Sequence, residues 1–256
     1  MTSWKNDYPG DPEMYIAFFN YHLQNSKKEV VQLDTRPSRD KNLTILDSAN
    51  QPAGYLYSKI HYDSSEFAKA QRYLMVGIEK NPKRLDMYFG RIYSLREAGF
   101  YEKHKNEILN LIAIHSKEPT DWLWSLNEPV KNPVAFFKDA IQDYNYALFN
   151  LEQPRFNEIE EISKAMLEIY PGDLKNYSNI GASSLIRKDF DSALEYFLKA
   201  LEFDNDDALV LSNIAWTYKL KGDKSSAIKY YKKVIEVGSE DQINFANHQI
   251  SELSKK

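Results

Sequence analysis

The C-terminal half of the chain repeats its pattern of small, apolar and polar residues every 34 positions. Residues 174–207 and 208–241 align end to end without a gap. Residues of similar size coincide in the two units: Gly181 with Ala215, Ala193 with Ala227, Phe197 with Tyr231, and Ala200 with Val234. The last three of these positions in each unit, such as Ala193, Phe197 and Ala200, follow i, i+4 and i+7 spacing, which places them on one face of a helix. The pattern therefore predicts helices with one apolar face.

Short polar segments divide each unit into two predicted helices. Residues 188–190 in one unit and 221–223 in the next contain an aspartate or a glycine, which can end one helix and cap the following one. A further step of 34 residues toward the N-terminus gives 140–173, which closes at Pro171. Each of the three units is thus predicted to be a helix pair.

This pattern resembles the tetratricopeptide repeat (TPR), in which every unit is a pair of antiparallel helices. The resemblance implies an all-α fold, an α-solenoid of antiparallel helix pairs wound into a right-handed superhelix. We expect three regular TPR units, at 140–173, 174–207 and 208–241. Residues 242–256 are predicted to be a C-terminal capping helix, because the last unit of a solenoid needs a polar outer face.

The preceding part of the chain repeats the pattern less regularly. Residues 51–118 are interpreted as two degenerate TPR-like units, of which 51–84 is the first. An alternative for that unit is a strand over residues 54–62, where apolar and polar residues partly alternate, paired with residues 43–46. The fold class therefore leaves room for a small non-helical element near residues 28–60.

Two segments break the repeat. Residues 1–50 are predicted to be an N-terminal helical cap followed by a polar loop. Residues 119–139 contain three prolines together with Trp122 and Trp124, which indicates an insertion or a hinge.

The composition of the 256-residue chain excludes several kinds of site and disfavours several classes of protein. It contains no cysteine, which excludes disulfides and thiolate metal sites. Its 33 basic and 37 acidic residues give a net charge of −4, so it lacks the positive field of a nonspecific nucleic-acid binder. The longest apolar run, residues 109–114, is too short to span a membrane. Residues 1–10 lack the features of a secretory signal, so we expect a cytoplasmic protein.

No motif of catalysis or cofactor binding stands out. The sequence has no glycine-rich phosphate loop and no dinucleotide fingerprint. No two of its five histidines have the i, i+3 or i, i+4 spacing of a helical metal pair. We therefore predict a protein that is not an enzyme, with no cofactor and no metal site.

The repeat itself supplies a candidate binding surface. Asn145, Asn179 and Asn213 recur at intervals of 34 on the first helix of each regular unit. The TPR resemblance implies that an asparagine at this place lines the inner groove and bonds to the backbone of an extended peptide, since a carboxamide both donates and accepts hydrogen bonds. The alternative is that asparagine is common at this place and bonds to its neighbours.

The same predicted groove contains five further side chains: Tyr144, Leu148, Lys175, Trp216 and Lys219. Trp216 is a candidate anchor, because aromatic residues dominate interface hot spots. Packing between repeats is the alternative role for this tryptophan.

The leading functional hypothesis is a noncatalytic protein-interaction module or scaffold that binds a peptide segment or a helix in the groove. Its predicted partner is another protein or peptide, with no nucleic acid and no membrane. One alternative is structural self-association, through a tyrosine-rich face or the Trp122 and Trp124 insertion. A second alternative is an RNA-binding helical repeat, which the net charge disfavours.

Overall fold

The computed structural model describes residues 2–37, 42–117 and 121–255. The chain divides into two compact units, Met1–Lys138 and Asp139–Lys256, here called unit 1 and unit 2. Among the described residues, no helix is long and apolar enough to cross a bilayer.

Unit 1 combines helices with a small sheet. Its elements in chain order are α1 (Thr2–Asp7), α2 (Pro12–Ser26), β1 (Lys27–Asp34), β2 (Leu43–Leu46), β3 (Pro52–Tyr62), α3 (Ser64–Lys80), α4 (Leu85–Glu97), α5 (Tyr101–His115) and a 3₁₀ turn (Ser125–Asn127). The boundary between the units falls within α6 (Pro133–Phe149).

The rest of unit 2 is helical. Its elements are α7 (Phe156–Ile169), α8 (Leu174–Ile186), α9 (Phe190–Leu201), α10 (Ala208–Lys221), α11 (Lys224–Val237) and α12 (Glu240–Ser254). The predicted fold class is confirmed: the described residues form helix pairs and a small sheet.

Aspartates begin four consecutive helices of unit 2. Each side chain accepts a hydrogen bond from a backbone N–H in the first turn: Asp173 from Lys175 at 3.1 Å, Asp189 from Ser192 at 3.2 Å, Asp207 from Val210 at 2.9 Å and Asp223 from Ser226 at 3.0 Å. These contacts satisfy N–H groups that have no partner inside the helix. The first and third aspartates are 34 residues apart, as are the second and fourth, so the repeat period also fixes where the helices begin.

The positions that coincide in the repeat form the core of unit 2. Ala193, Phe197 and Ala200 are fully buried in one cluster, and the equivalent Ala227, Tyr231 and Val234 are fully buried in the next. A glycine allows the first pair to pack closely, because a Cβ added at Gly181 would lie only 2.7 Å from the ring of Phe197. Helix α12 closes the second cluster through Ala246, Ile250 and Leu253.

Residues 52–62 form β3, so the helical interpretation of 51–84 is wrong for this segment and the strand alternative describes it. Helix α3 starts directly afterwards, where the Asp63 side chain accepts hydrogen bonds from the backbone N–H groups of Ser65 and Glu66, each at 3.1 Å. Its packing partner is α2 rather than a helix within 51–62. The three strands are thus inserted between the two helices of one pair.

The sheet has the strand order β1, β3, β2, with both neighbouring pairs antiparallel. In its register Leu56 of β3 stands between Leu33 of β1 and Leu43 of β2. The predicted polar loop after the N-terminal helix is therefore mostly strand. The part of that loop at 38–41 lies outside the described residues.

Buried contacts fix the predicted insertion at 119–139, most of which belongs to unit 1. Of its residues, 119 and 120 lie outside the described part, and 133–139 belong to α6. Trp122 is buried, and its Nε1–H donates to Nδ1 of His115 at 2.8 Å. The His115 ring stacks on Phe137 with a centroid distance of 3.7 Å. Burial lowers the pKa of His115 from 6.5 to about 4, which keeps this acceptor nitrogen unprotonated at neutral pH.

A buried arginine completes the attachment of the insertion. The Arg84 guanidinium donates to both carboxylate oxygens of Asp86, at 3.0 and 2.8 Å, and to Oδ1 of Asn127 at 3.2 Å. It also pairs with Glu13 of α2 at 2.8 Å. Because Glu13 further accepts a hydrogen bond from the backbone N–H of Leu126 at 2.8 Å, one network joins α2, the start of α4 and the 3₁₀ turn.

Candidate functional site

Helices α6 and α8 place amide side chains next to one another in unit 2. The Asn179 Nδ2 donates to Oε1 of Gln142 at 2.9 Å, and the Gln142 Nε2 donates to Oδ1 of Asn176 at 3.0 Å. The two residues of the second bond are separated by 34 positions, so equivalent places in successive repeats bond to each other. The result is a short row of amides across two repeats.

Asn145 lies one helical turn after Gln142 on α6, and one of its two amide atoms has no hydrogen-bond partner among the described residues. It is almost fully buried, and its Nδ2 donates to Oγ of Ser163 on α7 at 3.2 Å. Its Oδ1 is buried without a hydrogen-bond partner among the described residues. A buried unpaired carbonyl costs about 1–3 kcal/mol, and a ligand N–H would recover that energy if the side chain turned to expose this oxygen.

A pocket of about 360 Å³ opens beside these amides. Asn145, Asn179 and Gln142 line it, together with Lys175, Asp143 and the two aromatic side chains Tyr146 and Phe149. Tyr146 is 71% exposed and Phe149 is also exposed. The pocket therefore combines amides that can bond to a peptide unit with aromatic surface that can cover an apolar side chain.

Charges of both signs stand at the edge of this pocket. Lys175 is exposed and lies 3.4 Å from a carboxylate oxygen of Asp139, which is also exposed. A surface pair of this kind contributes at most about 1 kcal/mol, so the lysine can exchange this partner for an acidic group of a ligand at low cost.

The pocket brings together three of the residues predicted from the sequence, Asn145, Asn179 and Lys175. Asn213 does not line it; its side chain is half-buried on α10, and its backbone carbonyl accepts a hydrogen bond from Thr217 Oγ1 at 2.7 Å. The structure therefore places two of the three predicted asparagines in one site.

Trp216 and Lys219 belong to a separate cluster with α12. The Lys219 Nζ lies 4.8 Å from the centre of the Trp216 ring and donates to Oε1 of Gln249 at 2.6 Å. Through Lys219 this arrangement ties α10 to the C-terminal helix, and neither Trp216 nor Lys219 lines the pocket.

Tyr144 and Leu148 offer almost no surface to a ligand. Leu148 is fully buried and Tyr144 is nine-tenths buried. They continue the stripe of Phe137 and Ile141 at spacings of three and four, which is the core face of α6. Placing them in the groove was wrong because the exposed face of α6 is formed instead by Asp143, Tyr146 and Phe149.

The repeat period would have identified part of what the sequence reasoning missed. Gln142 and Asn176 are amides separated by 34 residues, the same signal that Asn145 and Asn179 give. Tyr146 and Phe149 carry no such signal, because Ile180 and Ser183 occupy the equivalent positions of the next repeat.

Within the described ranges, no group of three or more histidine, aspartate and glutamate side chains could hold a metal ion.

Comparisons with known proteins agree with the repeat architecture. The tetratricopeptide repeat model matches residues 174–207 and 208–237. No curated protein matches the chain.

Solved structures similar to this chain are remote in sequence. They include YrrB, described as a TPR protein with an unusual peptide-binding site, with 15% identity, a TM-score of 0.48, and 96% of this chain and 95% of that chain covered. MamA from Desulfovibrio magneticus RS-1 has 14% identity and a TM-score of 0.41, with 66% and 84% covered. A thermophilic TPR protein of Thermus thermophilus also has 14% identity and a TM-score of 0.41, with 73% and 92% covered. The two matched repeats coincide with the helix pairs α8–α9 and α10–α11, so residues 174–237 consist of tetratricopeptide repeats.

Proposed function

We propose that unit 2 binds an extended segment of another protein in the pocket between α6 and α8. TPR folds are protein-interaction scaffolds in general and are typically noncatalytic. The finer assignment to this pocket is supported by one observation above all: Asn145, which has a buried Oδ1 without a hydrogen-bond partner, and Asn179 line the same pocket as the exposed rings of Tyr146 and Phe149.

The amides bind the backbone of the segment. The side chain of Asn145 turns toward the pocket so that its Oδ1 accepts from an N–H of the segment, and the amide of Asn179 exchanges its bond to Gln142 for one to a backbone carbonyl. Each such bond contributes about 0.5–1.5 kcal/mol net. Backbone contacts alone select an extended conformation and tolerate many sequences.

The aromatic side chains add selectivity for an apolar residue. Tyr146 and Phe149 expose ring surface at the pocket, and contact with an aliphatic or aromatic side chain removes that surface from water at about 25 cal/mol per Å². The preferred segment therefore carries at least one large apolar side chain between residues whose backbone bonds to the amides.

Selection from a random-sequence peptide library tests this proposal, with the full chain as bait. For a selected peptide, Asn179→Ala should weaken binding by about tenfold, because it removes a backbone contact and disturbs Gln142. Asn213→Ala is the matched control: it changes the same residue type at the equivalent repeat position, also half-buried, outside the pocket. Equal losses of affinity in both variants, or no loss in either, would contradict the assignment.

Tyr146→Ala tests the apolar contribution separately. We expect a loss of affinity of at least about fivefold, as for the truncation of an aromatic anchor. Tyr8→Ala, which removes a tyrosine of comparable exposure from unit 1, should leave the affinity unchanged. Thermal melting of every variant establishes that the fold is intact.

A further inference from the structure

Unit 1 contains a pocket of about 800 Å³ between the end of β3 and helices α3, α4 and α5. We propose that this pocket binds a segment of another protein in which acidic residues stand beside a large apolar side chain. Its volume is typical of ligand sites in proteins. The pocket shares no residue with the one between α6 and α8, so the proposed site is a second one.

Apolar side chains in this pocket remain within reach of a ligand. Met75 of α3 is 43% exposed, and Phe100, which directly precedes α5, is 42% exposed. Two further lining residues, Phe67 and Leu95, are buried, and the ring of Phe67 lies 5.4 Å from that of Phe100. A large apolar side chain of a partner can therefore pack on Met75 and Phe100 and remove their surface from water.

Basic side chains outnumber acidic ones around this apolar surface. Three basic residues line the pocket, Arg72, Arg91 and Lys103, against one acidic residue, Glu107. The carboxylate of Glu107 is already paired, because its Oε1 lies 2.8 Å from Nη2 of Arg91. Arg72 and Lys103 are exposed and have no acidic partner among the described residues.

The sequence explains why these two cations stay without an acidic partner. The residues three and four positions from Arg72 on α3 are not acidic: Ala68, Lys69, Met75 and Val76. Lys103 has Glu107 four positions ahead, but that carboxylate pairs with Arg91. The Nζ of Lys103 lies instead 5.2 Å from the centre of the Phe100 ring.

A partner that supplies carboxylates complements this charge. The acids that neighbour the pocket already have basic partners: Glu97 pairs with Arg96 at 2.9 Å, and Glu102 pairs with Lys105 at 2.7 Å. The positive charge therefore contrasts with a chain whose net charge is −4. Carboxylates that pair with Arg72 and Lys103 gain charge-assisted hydrogen bonds without displacing an existing ion pair.

Two polar atoms of pocket residues favour a peptide backbone as part of the ligand. Oε1 of Gln71 and Nε of Arg91 are buried and have no hydrogen-bond partner among the described residues. Gln71 uses only its other amide atom, which donates to Oγ of Ser94 at 2.8 Å. The free oxygen can accept a hydrogen bond and the free nitrogen can donate one. If the two side chains turn toward the pocket, they can bond to the N–H and carbonyl groups of an extended segment.

The positive surface continues beyond this pocket along α3. Arg72 also lines a neighbouring pocket of about 620 Å³, together with Lys69 and Lys80 of the same helix. A surface of this length suits an extended segment with several acidic residues better than a small molecule. The exposed Met75 and Phe100 in turn favour a protein over a nucleic acid, whose affinity comes mainly from phosphate contacts.

Parallel peptide selections test this proposal. A random-sequence library is selected against the full chain and against a double variant that carries Arg72→Glu and Lys103→Glu. Sequences enriched on the wild type alone should contain aspartate or glutamate next to a large apolar residue. A single-stranded oligouridylate is the nucleic-acid probe, and it should not bind.

Binding of a peptide selected in this way should depend on both features of the pocket. Arg72→Glu should raise its dissociation constant at least about tenfold, because it replaces an attractive charge with a repulsive one. Arg72→Lys keeps the charge and should retain most of the affinity. Met75→Ser should raise the dissociation constant at least about threefold by removing apolar contact. Added salt should weaken binding, since it screens exposed charges.

Two variants in unit 2 serve as controls. Lys232→Glu reverses another exposed lysine, on α11, that has no ion-pair partner among the described residues. Asn179→Ala acts on the pocket between α6 and α8, so the two proposed sites can fail separately. Both variants should leave the affinity of the peptide unchanged, and thermal melting of every variant establishes that the fold is intact.

Four outcomes would overturn the proposal. They are an absence of acidic residues from the sequences specific to the wild type or an absence of such sequences, equal dissociation constants for Arg72→Glu and Lys232→Glu, a loss of affinity in Asn179→Ala, and binding of the oligouridylate in place of peptides.

Discussion

At the scale of the residue, Gly181 shows how closely the repeats depend on small side chains. A Cβ at this position would meet ring atoms of Phe197 at 2.7 Å, well inside normal contact, and that ring is fully buried. Gly181→Ala should therefore lower the free energy of unfolding by about 1–3 kcal/mol, as expected when a tight core is overfilled. Urea denaturation measures the change.

Gly90→Ala is the matched control, because this glycine also lies inside a helix. Its Cβ would find Leu74 and Phe19 at 3.4 and 3.5 Å, which is ordinary contact. The variant should be neutral or up to about 1 kcal/mol more stable, since alanine has the higher helix propensity. If both variants lost the same stability, the close packing of Gly181 on Phe197 would not be the cause.

A sequence can reveal residue types that recur with the repeat, but it cannot reveal residues that are distinguished only by their exposure. The period identified Asn145 and Asn179, which the pocket brings together. It could not show that Tyr144 and Leu148 face the core, because the rotation of α6 about its axis depends on packing. The repeat period gives no signal for Tyr146 either, because its exposure also depends on the rotation of the helix.

At the scale of the element, the inserted segments are secured by a few buried polar contacts. Arg84 is 1% exposed and holds Asp86, Asn127 and Glu13 together. Arg84→Met should destabilise the protein by about 1–3 kcal/mol, because it leaves the partly buried carboxylates of Asp86 and Glu13 without their partner. Lys83→Met breaks a neighbouring pair with Asp121 that is exposed on both sides, and it should cost less than about 1 kcal/mol. Equal unfolding midpoints of the two variants would rule out this role for Arg84.

The sequence indicated both readings of residues 51–62, and the structure shows why the helical one failed. Side chains over β3 follow the strand period of two. One face of the strand carries Tyr55, Tyr57, Lys59 and His61, and the other carries Leu56, Ser58 and Ile60. The 34-residue comparison aligned α3 correctly but assigned it the wrong partner, because α2 lies on the far side of the insertion. A repeat period cannot reveal an insertion between its own two helices.

At the scale of the whole molecule, two buried histidines make stability depend on pH. Burial lowers the pKa of His104 and of His115 from 6.5 to about 4. The unfolded chain therefore takes up protons at these sites between those two values, whereas the folded chain does not. The free energy of unfolding should fall as the pH decreases from 6.5 toward 4, by up to about 1.4 kcal/mol per pH unit for each histidine.

Urea unfolding at about pH 7 and pH 5 checks this dependence. The carboxyl pKa values of Asp63 and Glu66 are lowered in the folded chain, and they reduce the free energy of unfolding only at lower pH. The change in stability between pH 7 and pH 5 therefore comes mainly from the buried histidines. The ring signals of His104 and His115 in NMR spectra should stay in their neutral form at pH 5. Equal stability at both pH values would contradict the buried, neutral state of these rings.

Side-chain amide NMR of the full chain, recorded with and without a library-selected peptide, shows whether a peptide binds in the pocket between α6 and α8. On binding, the signals of Asn145 and Asn179 should shift while that of Asn213 stays in place. A peptide that binds while the signals of Asn145 and Asn179 remain unmoved would contradict the proposed pocket.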